Sequence, residues 1–450
     1  LPISHLKFKV SSLPSRMRNP APIIATLVLA LLVVFLLLRP EASLPAPPVP
    51  EPPLPTTPPA PSPPPRQPSA LSILAENPDW TTLEAYQRTI SRTDFEKLLT
   101  EIFTTDDTWR EFILIRDEYA EIITNPDPVV PPFLLSFATP ENTLPTPRGW
   151  KDTATRPIPP PDKPLAHLHI AIDPGHIGGE WAKIEERWFQ IGSEKPVTEG
   201  DMTLYVAELL KPLLEEMGAT VTLVRSKPEP VTPLRPEDLA PLATGNTSDD
   251  PDSLRRFAER LFYRTAEIRA RADLVNLTIK PDIVLCLHFN AEAWGDPNTP
   301  SLIPRTHFHV LLNGAYTPDE VRLADQRFAL LRKLLQRTHE EEVLVGKTVA
   351  EVFAEVSKLP AYLYPPGGNN VRSVPSSPFL YARNLLANRL YDCPVLFMEP
   401  YVMNSTLDYA RIQAGDYEGL KEINGQQLPS IFREYANALA QGLVKHYSSP

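Results

Sequence analysis

Residues Ile170 to Gly179 read IAIDPGHIGG, a short apolar strand running into a glycine-rich turn that carries His176. A strand that ends this way presents a polar side chain at its carboxyl edge, where open α/β sheets build their sites. The segment alone is ambiguous, because DPGH also suits a plain tight turn, with Pro fixing φ and Gly supplying a left-handed residue. Its meaning depends on what stands at the ends of the other strands.

The chain has 450 residues with 42% hydrophobic content, enough for one large domain with appendages or for two domains. Of its 55 prolines a dense run lies in one block, which marks a linker rather than a disordered protein. A net charge of -11 argues against a nucleic-acid partner, since phosphate neutralisation needs a basic face. The two cysteines, Cys286 and Cys393, lie in apolar runs and read as buried free thiols rather than a disulfide, and they exclude a cysteine-based zinc site.

Lys7, Lys9, Arg16 and Arg18 precede an apolar run from Ala21 to Leu38 that, as a helix, spans roughly 27 Å, close to a bilayer core. An uncleaved anchor is expected there rather than a signal peptide, because no clean small-residue cleavage site precedes Pro45. The charge asymmetry puts residues 1–20 in the cytoplasm as a tail. The expected location is therefore the cell inner membrane, single-pass, with the remainder in the periplasm or cell envelope. Residues 39–70 form a Pro-rich linker whose densest part, Pro45 to Pro68, should be an extended stalk reaching up to roughly 70 Å. A Pro-rich ligand for an aromatic groove is the alternative.

Residues 71–124 read as a small helical module, with starts at Asp79, Ser91 and Thr104-Thr105-Asp106 and apolar positions such as Phe95, Leu98, Leu99, Ile102 and Phe103 at helical spacing. Residues 125–164 are again Pro-rich and read as a tether, with Phe133 to Phe137 a possible strand. The main domain, 165–450, alternates strands and helices. Strands are expected at His167–Asp173, Ala219–Arg225, Asp282–His288, His307–Leu312 and Val395–Glu399. Helices are expected at Glu199–Met217, Ser253–Leu277, Pro318–Arg337 and Pro429–His446, the first ended by Gly218 and kinked or shifted in its start by Pro212. The expected fold class is α/β, a mostly parallel mixed sheet with helices on both faces.

Glu199 opens a helix whose apolar stripe runs through Leu204, Ala207, Leu210, Leu213 and Met217, so its carboxylate falls on the first turn, near the edge that carries His176. Acidic residues are also common at helix starts for reasons of the dipole alone. The apolar strand IVLCLH ends in His288, followed by Phe289-Asn290-Ala291. Two His and one Glu at one sheet edge match the ligand set of a catalytic zinc with one position left for water. Glu399 closes the buried run PVLFME, where desolvation disfavours a charge unless it has a partner or a purpose.

IAIDPGH, the E-x-x-x-x-L-x-x-A pattern from Glu199, ATVTLVR, RADLVN from Arg271 to Asn276, LHFNA around His288 and PVLFMEPYVMN around Glu399 together resemble the zinc-dependent N-acetylmuramoyl-L-alanine amidases. The similarity covers roughly residues 167 to 447. It implies a cell-wall hydrolase holding one Zn2+ on His176, Glu199 and His288, with metal-activated water and Glu399 as general base and then acid. It implies peptidoglycan as substrate, cleaved between N-acetylmuramic acid and L-alanine. Arg383, within LYARN, matches a family arginine beside the site, and Asn290 and His309 are further candidates for substrate contact or support. Glu194-Lys195 is out of register and reads as a decoy for the family's Glu-Lys pair. The chain departs from the family pattern in the turn after His176, in Tyr401 where a Gly is expected, and in the long Arg225 to Arg271 interval. A zinc peptidase or deacetylase, or a non-catalytic peptidoglycan-binding protein, remains as the rival reading.

His167, His169 and His307 begin strands and read as structural, His309 being the one most open to a role. The Pro-, Asp- and Thr-rich insertion at 226–252 is either an idle loop or, with the helix after it, a gate that an activator protein moves.

Overall fold

The computed structural model describes residues 70–448 except 366 and 369. Two independent cores flank one seven-stranded sheet, whose strands are β1 His169–Pro174, β2 Thr220–Leu223, β3 Ile283–Leu287, β4 Phe308–Leu312, β5 Arg372–Ser373, β6 Leu380–Ala382 and β7 Val395–Pro400. The order across the sheet is β5-β6-β4-β7-β3-β1-β2. Pairs β1–β2, β1–β3, β3–β7 and β4–β6 are parallel, and β4–β7 and β5–β6 antiparallel. The sheet is thus mixed and mostly parallel, as expected. β3 is a continuous apolar run and β4 is buried along its whole length, because both faces are covered.

On one face pack α1 (Glu199–Glu216), through Val206, Ala207 and Leu210, and two further helices, residues Thr338–Ser357 and Ile431–Ser448. On the other face Ala272 and Val275, with Tyr391, lie over Ala171, Val284, Cys286 and Phe397. Each large apolar side chain so buried contributes roughly 1.5–3 kcal/mol relative to exposure. Cys286 and Cys393 are buried free thiols in this second core.

α1 begins at Glu199 despite Pro212, and its end is closed by Met217 and by Gly218 at φ 99°. The run expected at Ser253–Leu277 starts with Asp250 accepting from the Ser253 N–H and continues to Ile279, widened twice into π turns at Phe262–Ala266 and Leu274–Ile279. The single helix expected at Pro318–Arg337 is two, Pro318–Arg322 and Ala324–Gln336. Leu323 is extended, and the buried Arg327 guanidinium donates to the Val321 carbonyl exposed by the break. The helix Thr338–Ser357 was not expected at all.

Residues 71–124 are not all helical. Asp79, Ser91 and Asp106 do cap short helical segments, but Ile113–Ile115 and Tyr119–Ile122 are strands that join Phe133–Ser136 in an antiparallel sheet. The β-branched, alternating pattern of 113–122 outweighs the helical spacing that precedes it. This unit shares a core with the Ala324–Gln336 helix, Phe95, Leu99 and Trp109 meeting Leu330, Leu331 and Leu334. Segment 125–164 runs along the same body, where Arg148 Nε donates to the Gln336 carbonyl and the Thr153 N–H to Glu341.

The expected inner-membrane, single-pass location requires correction. Among the described residues no helix is long and apolar enough to cross a membrane. The tail at 1–20, the 21–38 segment on which that expectation rested, and the linker to residue 69 lie outside the described residues.

Candidate metal centre

Strands β1, β3 and β7 run in one direction, so the residues that follow them gather at one edge. Glu399 lies within β7, His288 directly after β3 and His176 two residues after β1. Glu199 reaches the same edge from the first turn of α1. Ligand atoms of His176, Glu199 and His288 all lie within 4.8 Å of one another. His176 Nε2 stands 3.2 Å from Glu199 Oε2, and His288 Nδ1 3.0 Å from Glu199 Oε1. Two imidazole nitrogens facing one carboxylate, in a buried setting, are a donor set that could hold a metal ion.

Local sequence builds this convergence by close approach. A Cβ on Gly200 would fall 2.2 Å from the Gly178 nitrogen, so glycine at both ends lets α1 start against the turn. The three N–H groups after His176 are all bound by carboxylates: Ile177 and Gly178 donate to Glu185 at 2.8 and 3.0 Å, and Gly179 to Asp201 at 2.9 Å. Thr203 donates its hydroxyl to the Gly175 carbonyl at 2.6 Å. Beneath the turn, buried Arg271 donates to the His176 and Pro174 carbonyls and pairs with Asp173 and Glu267, each contact 2.7–2.8 Å. Asn276 of the same RADLVN run ties down the Leu390–Asp392 loop. Arg225 donates to the Gly200 carbonyl at 2.8 Å. These motif residues hold the frame.

Charge in the cluster is strongly uneven. Burial works against the Glu199 carboxylate, but His176, His288 and Arg187 outweigh it and bring its pKa down to about 2. For Glu399, burial followed by the neighbouring Glu199 charge prevails over His288 and the arginines and pushes the pKa up to about 7. Burial tends to lower the His288 pKa, yet its bond to Glu199 raises it. The His288 ring also stacks on Phe397, centroids 4.2 Å apart, which fixes its plane.

A cleft of about 410 Å3 opens on the cluster, lined by His176, Arg187, Glu199, His288, Asn290 and Glu399 among others. A second cavity of about 420 Å3 also reaches His176, His288 and Glu399 and includes Arg264 and Arg383. Asn290 lines the first, its Oδ1 accepting from the Ala291 N–H at 2.7 Å. Arg383 lines the second, where its charge acts on Glu399. His309 is the cross-strand neighbour of Glu399, but it is buried against Tyr364 at 3.2 Å and lines neither cavity. Burial pushes its pKa down to about 3. His169 meets Thr222 and His307 meets Glu292. Glu194 is bonded by the Tyr409 hydroxyl and lines neither cavity. No residue of 226–252 lines either cavity; Pro228 packs on Gly179, while Tyr263 and Arg264 of the following helical run wall the second.

Two residues of the site were not legible in the sequence. Glu185, buried, faces His176 Nδ1 at 3.5 Å, and Arg187 Nε lies 3.1 Å from Glu199 Oε2. Both belong to the irregular stretch KIEERW, where the one signal is a cluster of charges without helical or strand period. Tyr401 supplies the converse case. Its φ of 61° is the conformation that favours glycine, and the strain is held by burial, stacking on Phe289 and a 3.0 Å bond to Glu434. Its side chain lies in the core rather than in the cleft.

No protein-family model matches the chain, and no curated protein does. Among solved structures the chain is similar to the N-acetylmuramyl-L-alanine amidase Ami1 from Mycobacterium smegmatis, at 14% identity over 64% of this chain and 99% of that one, with a TM-score of 0.33. It is similar to the CwlD amidase from Clostridioides difficile, solved in complex with the GerS lipoprotein, at 14% identity over 63% and 100% of the two chains, TM-score 0.35. For the amidase AmiC2 of Nostoc punctiforme the figures are 13% identity, 62% and 96%, and 0.32. Likeness at these values leaves the functional reading to the chemistry of the site.

Proposed function

We propose that this chain is a zinc-dependent hydrolase that cleaves the amide bond between N-acetylmuramic acid and L-alanine in peptidoglycan. The observation that carries the reading is the meeting of His176, Glu199 and His288 with a fourth polar group, Glu399, in one cleft. The order and spacing of the motifs around these four residues support the substrate class.

The donor set suits zinc: two imidazoles and one ionised carboxylate, with Glu185 behind His176 Nδ1 as the carboxylate that orients a ligating ring. When bound, zinc supplies Lewis acidity, polarising a carbonyl and lowering the pKa of a water from ~16 to about 7. The remaining work falls to side chains. Glu399, with its pKa raised to about 7, is poised to take a proton from the attacking water and to release it to the departing L-alanine nitrogen. One C–O bond forms, the C–N bond breaks, and the water's proton ends on the amine. Arg383 and Arg187 keep Glu399 able to ionise by their charge.

The test is hydrolysis of purified peptidoglycan by the full chain, with and without chelator and with zinc restored. Release of stem peptides with a new L-alanine amino terminus, abolished by chelator, supports the reading. Cleavage within the stem, or release of acetate instead, would place the same four groups in a peptidase or a deacetylase.

A further inference from the structure

A cavity of about 460 Å3 adjoins the metal cleft and has a different character. Trp188 and Trp294 line it together with Lys183, Glu186 and Asn298. Trp294 and Gly295 line the metal cleft as well, so the two cavities share a wall. Of six tryptophans in the chain, two meet here, neither fully buried.

Both indoles are mounted on the segments that carry metal-site residues. Trp188 pairs with Thr198 in a two-residue ladder, which fixes it beside Glu199 and Arg187. Trp294 follows His288 on a loop pinned by the Ser301 N–H to its own carbonyl at 2.8 Å and by the Gln190 N–H to the Pro297 carbonyl at 2.9 Å. It packs on Phe189, centroids 5.0 Å apart. Lys183 Nζ lies over the Trp188 ring, 4.4 Å from its centroid, and Glu186 is held by Tyr263 and Arg264. A pyranose chain requires indole surface beside polar groups: ring C–H faces meet the aromatic planes once the exposed Lys183 chain swings aside, and hydroxyl and N-acetyl groups meet Lys183 and Asn298. The second cavity at the cluster has no indole in its lining and sets four arginines beside four carboxylates.

We infer that Trp188 and Trp294 form a subsite for the N-acetylated β-1,4 glycan strand, holding the sugars next to the muramoyl residue whose amide faces the metal site. This deepens the amidase reading and rests on it for the identity of the polymer. The two indoles act by binding and contribute nothing to bond cleavage.

The test is a titration of metal-free full chain with peptide-free N-acetylated glycan strands, followed by tryptophan fluorescence, and in parallel with free stem peptide. Glycan strands should change the emission of the wild type saturably, and Trp188→Ala should weaken their binding about 10-fold, Trp188→Phe by less. Trp294→Leu, which keeps an apolar contact to Phe189, should weaken it similarly, and KM on polymeric peptidoglycan should rise in step. Unchanged wild-type emission at saturating glycan, or loss of stem-peptide binding instead of glycan binding in the variants, overturns the subsite. If the wild type binds glycan but hydrolyses no muramoyl amide, the subsite stands and the amidase reading fails.

Discussion

Gly175 lies flat against the His288 imidazole: a Cβ built on it would fall 2.3 Å from Cε1 and 2.5 Å from Nε2. The ring is held on its other side, being stacked on Phe397 from the neighbouring strand β7. Glycine at this position is therefore a condition for the proposed metal site, independent of any turn it allows. Gly175→Ala should shift His288, lower metal content and cost about 1–3 kcal/mol of stability from overpacking. Metal analysis beside a denaturant titration checks it, and full metal content at unchanged stability would count against the packing argument.

Glu185 is predicted to act on the metal through His176. It binds the Ile177 and Gly178 N–H groups and faces His176 Nδ1, so it sets both the turn and the ring. Glu185→Gln keeps the shape and removes the charge. Metal affinity, followed by chelator competition, should fall roughly 10- to 100-fold with the fold retained. An unchanged affinity would reduce Glu185 to a turn-binding role.

How far the sequence led can be read from particular elements. β3, β7 and α1 were legible because long apolar runs end in polar groups at defined spacing, and those ends are the site. The helix Thr338–Ser357 was not, although Val345, Val349 and Phe353 recur at helical spacing in it. It starts from Arg337 in the left-handed conformation with no capping side chain, and its buried Glu341 and Glu342 look like surface residues in the sequence. Their partners, Thr153 and the Val395 N–H, come from distant segments that no local pattern reveals. Glu185 and Arg187 escaped although their partners are near in the chain, because the stretch that carries them has neither helical nor strand period.

The pH dependence of the metal-free protein follows from two opposed carboxyls. Glu399, raised from 4.5 to about 7, leaves the folded state binding more protons than the unfolded one between those values, so stability present below pH 4.5 is lost as pH rises through 7. Glu199, lowered to about 2, contributes stability above pH 4.5 that is lost as pH falls towards 2. Glu399→Gln should remove the upper slope, a change on the order of 1–3 kcal/mol between pH 4.5 and 7.5 in chelator-treated protein. Parallel profiles for parent and variant would show that Glu399 is not destabilised by its surroundings.

The most direct measurement is bound zinc and peptidoglycan hydrolysis, determined on the same preparations of the wild type, His176→Ala, Glu199→Ala, His288→Ala and Glu399→Gln. The three ligand variants should lose metal and activity together, because each removes one of three protein donors. Glu399→Gln should retain the metal and lose about 10² to 10⁴ in rate, the size of a general acid–base contribution. Wild-type zinc content in His288→Ala, or normal turnover in Glu399→Gln, would contradict the account.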